Sequence, residues 1–300
     1  SGFENLLRWT EDNLAQGDLT SHLPAWQWGR RDDGRWDVLD ENSASDADLW
    51  IAYSLAEAGA QWNERRYRVL GELLGRRILD EETVKLPHLG RSLLPGPKGF
   101  HPAREEARLN PSYTPVQVLR GLITRQPKLE WKALLPSTEK LLLDAAPQGY
   151  AANWVLYNGG FKTDPQSQGI GSYDAIRVYL WVGMLAPDEP LRAALLQRYA
   201  PMAEQTAREG TPPEEVDTAT GARNRAGNGS FSAALLPLLT DLEMDAALKA
   251  QQQRLRSDPP GRDAYYGRAL ALFAEGWMQQ RYRFAADGTL VREDAACAAR

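Results

Sequence analysis

The sequence predicts an all-α protein in which antiparallel helical hairpins close into a ring. Three observations lead there. Apolar residues recur at helical spacing in ten stretches while period-two alternation is scarce. The connections between those stretches alternate short and long, and the layout repeats without a consensus repeat of sequence, which argues for a ring over a solenoid. With 300 residues, 43% of them hydrophobic, and no Pro/Ser/Gly linker, residues 1–300 are expected to bury one core as a single domain.

In order along the chain, residues 3–15 carry Phe3, Leu6, Leu7 and Leu14 on one side and stop at Gly17-Asp18. Residues 21–42 are irregular and aromatic, with Trp26, Trp28 and Trp36, and 36–39 predicts a short strand. From Ser45 the residues Leu49, Ala52, Leu55, Ala56 and Gly59 form one helical face; Ser45 is expected to cap it, with Asp46 and Asp48 against the positive end of its dipole. Residues 64–80 make a second amphipathic helix reached by a very short turn, hence an antiparallel neighbour. Pro87, Gly90, Pro95, Gly96, Pro97 and Gly99 predict a long loop without regular structure over 83–108. Helices then pair as 112–125 with 132–145, 174–185 with 191–208 and 230–241 with 244–256, followed by 263–280 and a turn at 284–290. Polar loops separate the pairs at 150–172 and 210–229, while Trp50, Trp62, Trp181 and Trp277 fall within helices at core spacing.

Several function classes are excluded early. A net charge of -5 with mixed signs leaves no basic stripe for nucleic acid, and no apolar run is long enough for membrane insertion. His22, His88 and His101 lack ligand spacing, and the single Cys297 cannot build a structural zinc site. No phosphate-binding glycine loop and no GxSxG elbow is present, and no cofactor is implied. Ten Trp and eleven Tyr lean toward a carbohydrate site, because flat aromatic faces suit sugar rings.

Carboxylates with aromatic neighbours remain. Residues two apart do not share a helix face, so Asp46, nearer the helix end, is the candidate for a pocket and Asp48 is expected to make structural hydrogen bonds. Asp174 opens a strongly apolar helix after a polar loop. With Ser172 free to cap, Tyr173 and Arg177 are placed to hold the Asp174 carboxylate ionised and oriented, as a general base requires. At least one of Trp26 and Trp28 is expected to stack on sugar.

Residues 44–48, Ala-Ser-Asp-Ala-Asp, followed by Ile51-Ala52, Ser54-Leu55 and Trp62, resemble the signature of glycoside hydrolase family 8, and the likeness runs from Phe3 to about Thr289. The resemblance implies an (α/α)6 barrel and an inverting endo-acting hydrolase of β-1,4 glycans, in the periplasmic branch that cleaves cellulose beside bacterial cellulose synthase. Its Tyr-Asp-Ala-x-Arg motif, whose Asp is the catalytic base, matches residues 173–177; its signature aspartate, which holds a sugar near the scissile bond, matches Asp46. Asn110-Pro111-Ser112-Tyr113 and Asp263-Ala264-Tyr265-Tyr266 match cleft motifs: Tyr113 offers a hydroxyl, and one of Tyr265 and Tyr266 faces the cleft while the other packs.

The family's general acid, a Glu in a Ser-Glu-Gly-Gln-Ser-Tyr-type motif, has no match here. The resemblance therefore places it upstream of Phe3, within two further helices expected before Ser1. It also implies a periplasmic or secreted location with the signal peptide removed, a partner cysteine upstream for Cys297, and the cellulose synthase export machinery as an associate. Two alternatives stay open: a glycan-binding protein on the same fold without hydrolysis, or a family hydrolase acting on xylan, chitosan or mixed-linkage glucan.

Overall fold

The computed structural model describes residues 2–292, so Cys297 lies outside the described residues. Among the described residues ten α-helices carry the fold: α1 (Gly2–Leu14), α2 (Ser45–Gln61), α3 (Arg65–Glu81), α4 (Val116–Arg125), α5 (Leu135–Asp144), α6 (Ile176–Gly183), α7 (Arg192–Glu209), α8 (Gly229–Asp241), α9 (Asp245–Ser257) and α10 (Tyr265–Met278). They form two layers. The even-numbered helices pack side by side as an inner layer, α2 on α4, α6 on α8 and α8 on α10, and from α3 onward each odd-numbered helix backs its predecessor.

Sequence explains which helix goes where. Helix α8 is apolar on every side and buried from Gly229 to Leu239, as an inner helix must be, whereas α3 and α9 keep charged outer faces. The inner helices meet at an aromatic plug: Trp50, Trp181 and Phe273, from α2, α6 and α10, have ring centroids 5.1–5.3 Å apart in all three pairings. Trp181 and Trp277 are core as expected. Trp62 is not; at the α2 terminus it is 49% exposed, packing edge-on to Phe3 and Tyr67.

Short strands decorate the connections. A hairpin of β1 (Gln27–Arg30) and β2 (Trp36–Asp40) precedes α2, and β2 covers the strand predicted at 36–39. The stretch 83–108 was expected to lack regular structure, yet it holds the hairpin β3 (Thr83–Leu86) and β4 (Gly90–Leu93), and reaches β5 (Glu106–Leu109). His88 and Gly90, both at positive φ, make the turn, so the glycine that suggested a loop instead closes a hairpin. Strand β5 pairs with β6 (Val155–Asn158), which pairs with β7 (Phe161–Thr163); β8 (Ile170–Gly171), β9 (Pro213–Asp217) and β10 (Arg223–Ala226) form a second three-stranded sheet.

The last hairpin, β11 (Arg283–Phe284) with β12 (Leu290–Val291), docks between α2 and α4. Tyr53 Oη donates to the Gly288 carbonyl at 2.8 Å. Gly288 sits at φ 77° with its backbone against Gly121, where a Cβ would lie 2.0 Å from the Gly121 nitrogen. Bidentate ion pairs to buried glutamates, Arg125 to Glu57 and Arg120 to Glu189, join α4 to α2 and to the approach to α7. Among the described residues no helix is long and apolar enough to cross a membrane.

Candidate active site

The starts of the inner helices converge at one end of the molecule. Asp46 is in the first turn of α2, Tyr113 ends a 3-10 turn (Pro111–Tyr113) leading into α4, Asp174 precedes α6, and Tyr266 is in the first turn of α10. Arg177 ties them together. Its guanidinium donates to Asp46 Oδ2 at 2.5 Å and to Asp174 Oδ1 at 2.9 Å, and lies 5.3 Å from the centre of the Tyr113 ring. Two carboxylates 128 positions apart in sequence thus share one cation, each bond charge-assisted.

Helix capping leaves Asp174 free for this. Asn153 Oδ1 accepts from the amides of Ser172 and Ala175, at 2.8 and 3.0 Å, so an asparagine from the preceding loop does the work expected of Ser172, whose hydroxyl instead donates to the Glu214 carbonyl. At α2 the expected Ser45 cap does not form either. Ser45 donates its amide to the Pro95 carbonyl at 3.0 Å and becomes the first helical residue, and its hydroxyl is buried without a partner.

Asp174 is the more open acid, with 35% of its side chain exposed against 15% for Asp46. Burial pushes Asp174 above the ordinary carboxylate value and Asp46 pushes it further, while Arg177 and a hydrogen bond from the Trp154 side chain pull it down. The result is a better proton acceptor than a surface carboxylate. Burial opposes the Arg177 charge, but Asp46, Tyr266, Asp174 and Tyr113 outweigh it, so the guanidinium holds its proton more tightly than usual. Burial raises both tyrosine hydroxyls, Tyr266 to about 12, and the Arg177 charge offsets it only in part.

Trp154 was missed in the sequence. It lies in a polar loop with no helical or strand periodicity around it, and only the fold brings its indole N–H to Asp174. Its ring is fixed on both sides: Arg108 stacks over it at 4.1 Å, itself paired to buried Asp164, and Phe100 lies parallel at 5.7 Å. Trp154 therefore takes the role expected of Tyr173. That tyrosine leans edge-on to Phe231, and its carbonyl accepts the Tyr266 hydroxyl.

The remaining expected residues divide. Tyr266 joins the Arg177 cluster, but Tyr265 does not pack; it is 82% exposed and lines a cavity of about 410 Å³ with Tyr173, Asn228 and Ser230. Trp28 is held between Trp9 and Trp36, at centroid distances of 5.2 and 4.9 Å, whereas Trp26 is 55% exposed beside the loop into α2, where its amide donates to Asn42. Trp26 is thus the one with a free face. Asp48 is buried, but its Oδ2 has no donor, so the structural hydrogen bonds expected of it are incomplete. No group of three or more His, Cys, Asp or Glu suited to a metal ion occurs among the described residues.

An endoglucanase of Escherichia coli (strain K12) is 46% identical over 97% of this chain and 78% of its own length. An endoglucanase of Xanthomonas axonopodis pv. citri (strain 306) is 47% identical over 99% of this chain and 79% of its own. The crystal structure of an endo-1,4-D-glucanase from Vibrio fischeri ES114, 42% identical, superposes with a TM-score of 0.90 over 97% of this chain and 85% of that one. The Acetobacter xylinum endo-beta-1,4-glucanase CMCax, at 24% identity and a TM-score of 0.72 over 91% of this chain and 81% of that one, shares the fold. The family model "Glycosyl hydrolases family 8" matches residues 1–280, and with relatives this similar over nearly the whole chain, the protein belongs to glycosyl hydrolase family 8.

Proposed function

We propose that the chain is an endo-β-1,4-glucanase that cleaves glucan with inversion, with Asp174 as the general base. The observation that carries this reading is the state of Asp174: partly exposed, raised in proton affinity by burial, and held by Arg177 and Trp154 so that its carboxylate has a fixed direction. In the proposed reaction Asp174 takes a proton from water as the water oxygen attacks the anomeric carbon. The glycosidic C–O bond breaks, and the leaving oxygen takes a proton from an acid on the other side of the bond. We assign that acid to the glutamate of the family's Ser-Glu-Gly-Gln-Ser-Tyr-type motif, which residues 1–300 do not contain.

Asp46 is proposed to hold a hydroxyl of the sugar at the scissile bond, with Tyr113 and Tyr266 beside it and Trp26 stacking on a sugar further along the chain. Cellulose is the proposed polymer, in keeping with the similarity to an endoglucanase and an endo-1,4-D-glucanase. The proposed setting is the periplasm or cell exterior, where the enzyme acts on glucan leaving the cellulose synthase export machinery.

The test is the configuration of the new reducing end, followed by NMR during hydrolysis of cello-oligosaccharides by the full-length protein, alongside cleavage rates on soluble cellulose, xylan, chitosan and mixed-linkage glucan. Initial release of the α-anomer with fastest cleavage of cellulose is expected. The β-anomer would overturn the base assignment, faster cleavage of another polymer would overturn the substrate, and binding without cleavage of any would replace the hydrolase with a glycan-binding protein.

A further inference from the structure

Behind Asp46 lies a second acidic arrangement that the proposed chemistry does not use. Asp48, on α2, and Glu82, at the C-terminal cap of α3, are 1% and 0% exposed. Their carboxyl groups face each other within hydrogen-bonding reach. Ser43 Oγ donates to Glu82 Oε1 at 2.5 Å, while Asp48 Oδ2 and Glu82 Oε2 are buried without a donor. Two ionised carboxylates cannot satisfy each other, since both only accept; one added proton makes an O–H···O bond between them.

The pair sits where three segments meet. The Leu94 amide donates to the Glu82 carbonyl at 2.8 Å, and the Ser45 amide to the Pro95 carbonyl at 3.0 Å. Gly96 passes so close that a Cβ there would be 2.6 Å from the Ser43 carbonyl oxygen. The end of α3, the loop into α2 and the strap at 93–97 therefore close around these two side chains, with Asp48 two positions along the chain from Asp46. Charge near the pair is acidic: Asp46 from α2 and Glu81 from α3 both raise the proton affinity of Glu82, and the strap at 93–97 has no ionisable side chain.

We propose that Asp48 and Glu82 share a single proton and, as a positioning pair, hold the start of α2 so that Asp46 meets Arg177 and sugar. Burial is the largest cause of the raised proton affinity of both acids; the Glu82 charge raises Asp48 further, while the hydrogen bonds from Ser43 and Asp48 pull Glu82 back down. The folded protein thus holds a proton that the unfolded chain releases near the ordinary glutamate value of about 4.3. The pair's contribution is full below that value and falls as pH rises until the shared proton is lost. Once it is lost, two anions repel inside the junction and the start of α2 is pushed from its place against Arg177. The effect on sugar binding rests on the function proposed above; the effect on stability does not.

The test compares full-length wild type, Glu82→Gln and Asp48→Asn by thermal melting and by KM and kcat on soluble cellulose, from pH 6 to 9.5. Either amide supplies a permanent N–H donor where the shared proton stood. The wild-type melting midpoint should fall as pH rises from 6 and level off once the shared proton is lost, and that of either variant should fall less; the ratio of wild-type to variant KM should grow about threefold or more over the same range with little change in the kcat ratio, from repulsion of order 1 kcal/mol. Parallel melting and KM profiles in wild type and both variants would overturn the proposal. If the melting profiles diverge as expected but no variant or wild type cleaves glucan, the hydrolase reading fails and the proton-sharing pair stands. Should Glu82→Gln not fold, Asp48→Asn alone decides.

Discussion

Arg177→Met is the most informative single change at the Asp46–Asp174 junction. The side chain removed is only 15% exposed and bonds both Asp46, equally buried, and the more open Asp174. Leaving a buried acid without its cation costs about 3–5 kcal/mol, and the Asp46 bond should account for most of this because solvent partly screens Asp174. A loss of that size in a chain this large lowers the melting midpoint by roughly 10 °C. Arg177 also exerts the strongest downward pull on Asp174, opposing burial and Asp46. Removing it raises the pKa of a base that works only when ionised, so the acidic limb of kcat/KM should move to higher pH. Arg177→Lys keeps a charge but cannot span both carboxylates, and should restore part of the stability and little of the activity. Melting curves and pH–rate profiles of the full-length variants provide the check. An Arg177→Met protein with an unmoved acidic limb would refute the assignment of Arg177 as the group that sets Asp174.

Trp154→Phe keeps the ring between Arg108 and Phe100 but removes the donor to Asp174; kcat should fall about tenfold, as expected for one lost bond to a charged group, with the acidic limb again shifted upward and the melting midpoint nearly unchanged. Trp26→Ala should raise KM with kcat preserved, whereas Trp28→Ala, which empties the space between Trp9 and Trp36, should lower the melting midpoint instead; steady-state kinetics and calorimetry separate the two. Gly288→Ala places a methyl group 2.0 Å from the Gly121 nitrogen at a φ of 77°, and should unseat the last hairpin with a melting loss far larger than that of Gly159→Ala, where a Cβ meets nothing within 4 Å.

The helices were legible because their physical signals are local. Leu70, Leu74 and Ile78 repeat along one face whatever the rest of the chain does, and the short link at 62–64 forces α2 and α3 together. The strands at 83–93 were not, since the hairpin depends on its packing and on His88 adopting positive φ, which a run of prolines and glycines conceals. The site divides the same way. Asp46, Asp174 and Arg177 stand in motifs that begin helices, and Arg177 is within one turn of Asp174. Trp154 and Asn153 act across tertiary contacts from an irregular loop, and Glu82 joins Asp48 only because α3 ends beside the start of α2. Serines suggested caps at Ser45 and Ser172 because they are good capping residues in isolation, but Pro95 and Asn153 supplied better partners.

The central claim, that Asp174 activates the attacking water, is tested most directly by Asp174→Asn in the full-length protein, with reducing-sugar release from soluble cellulose measured beside glucan binding and the melting midpoint. The asparagine keeps the shape and can still accept from Arg177 and Trp154, but it cannot take a proton. A loss of activity of about 10²–10⁴-fold, with glucan binding and fold retained, is the predicted result. A folded Asp174→Asn protein that binds glucan and cleaves it within tenfold of the wild-type rate would contradict the account.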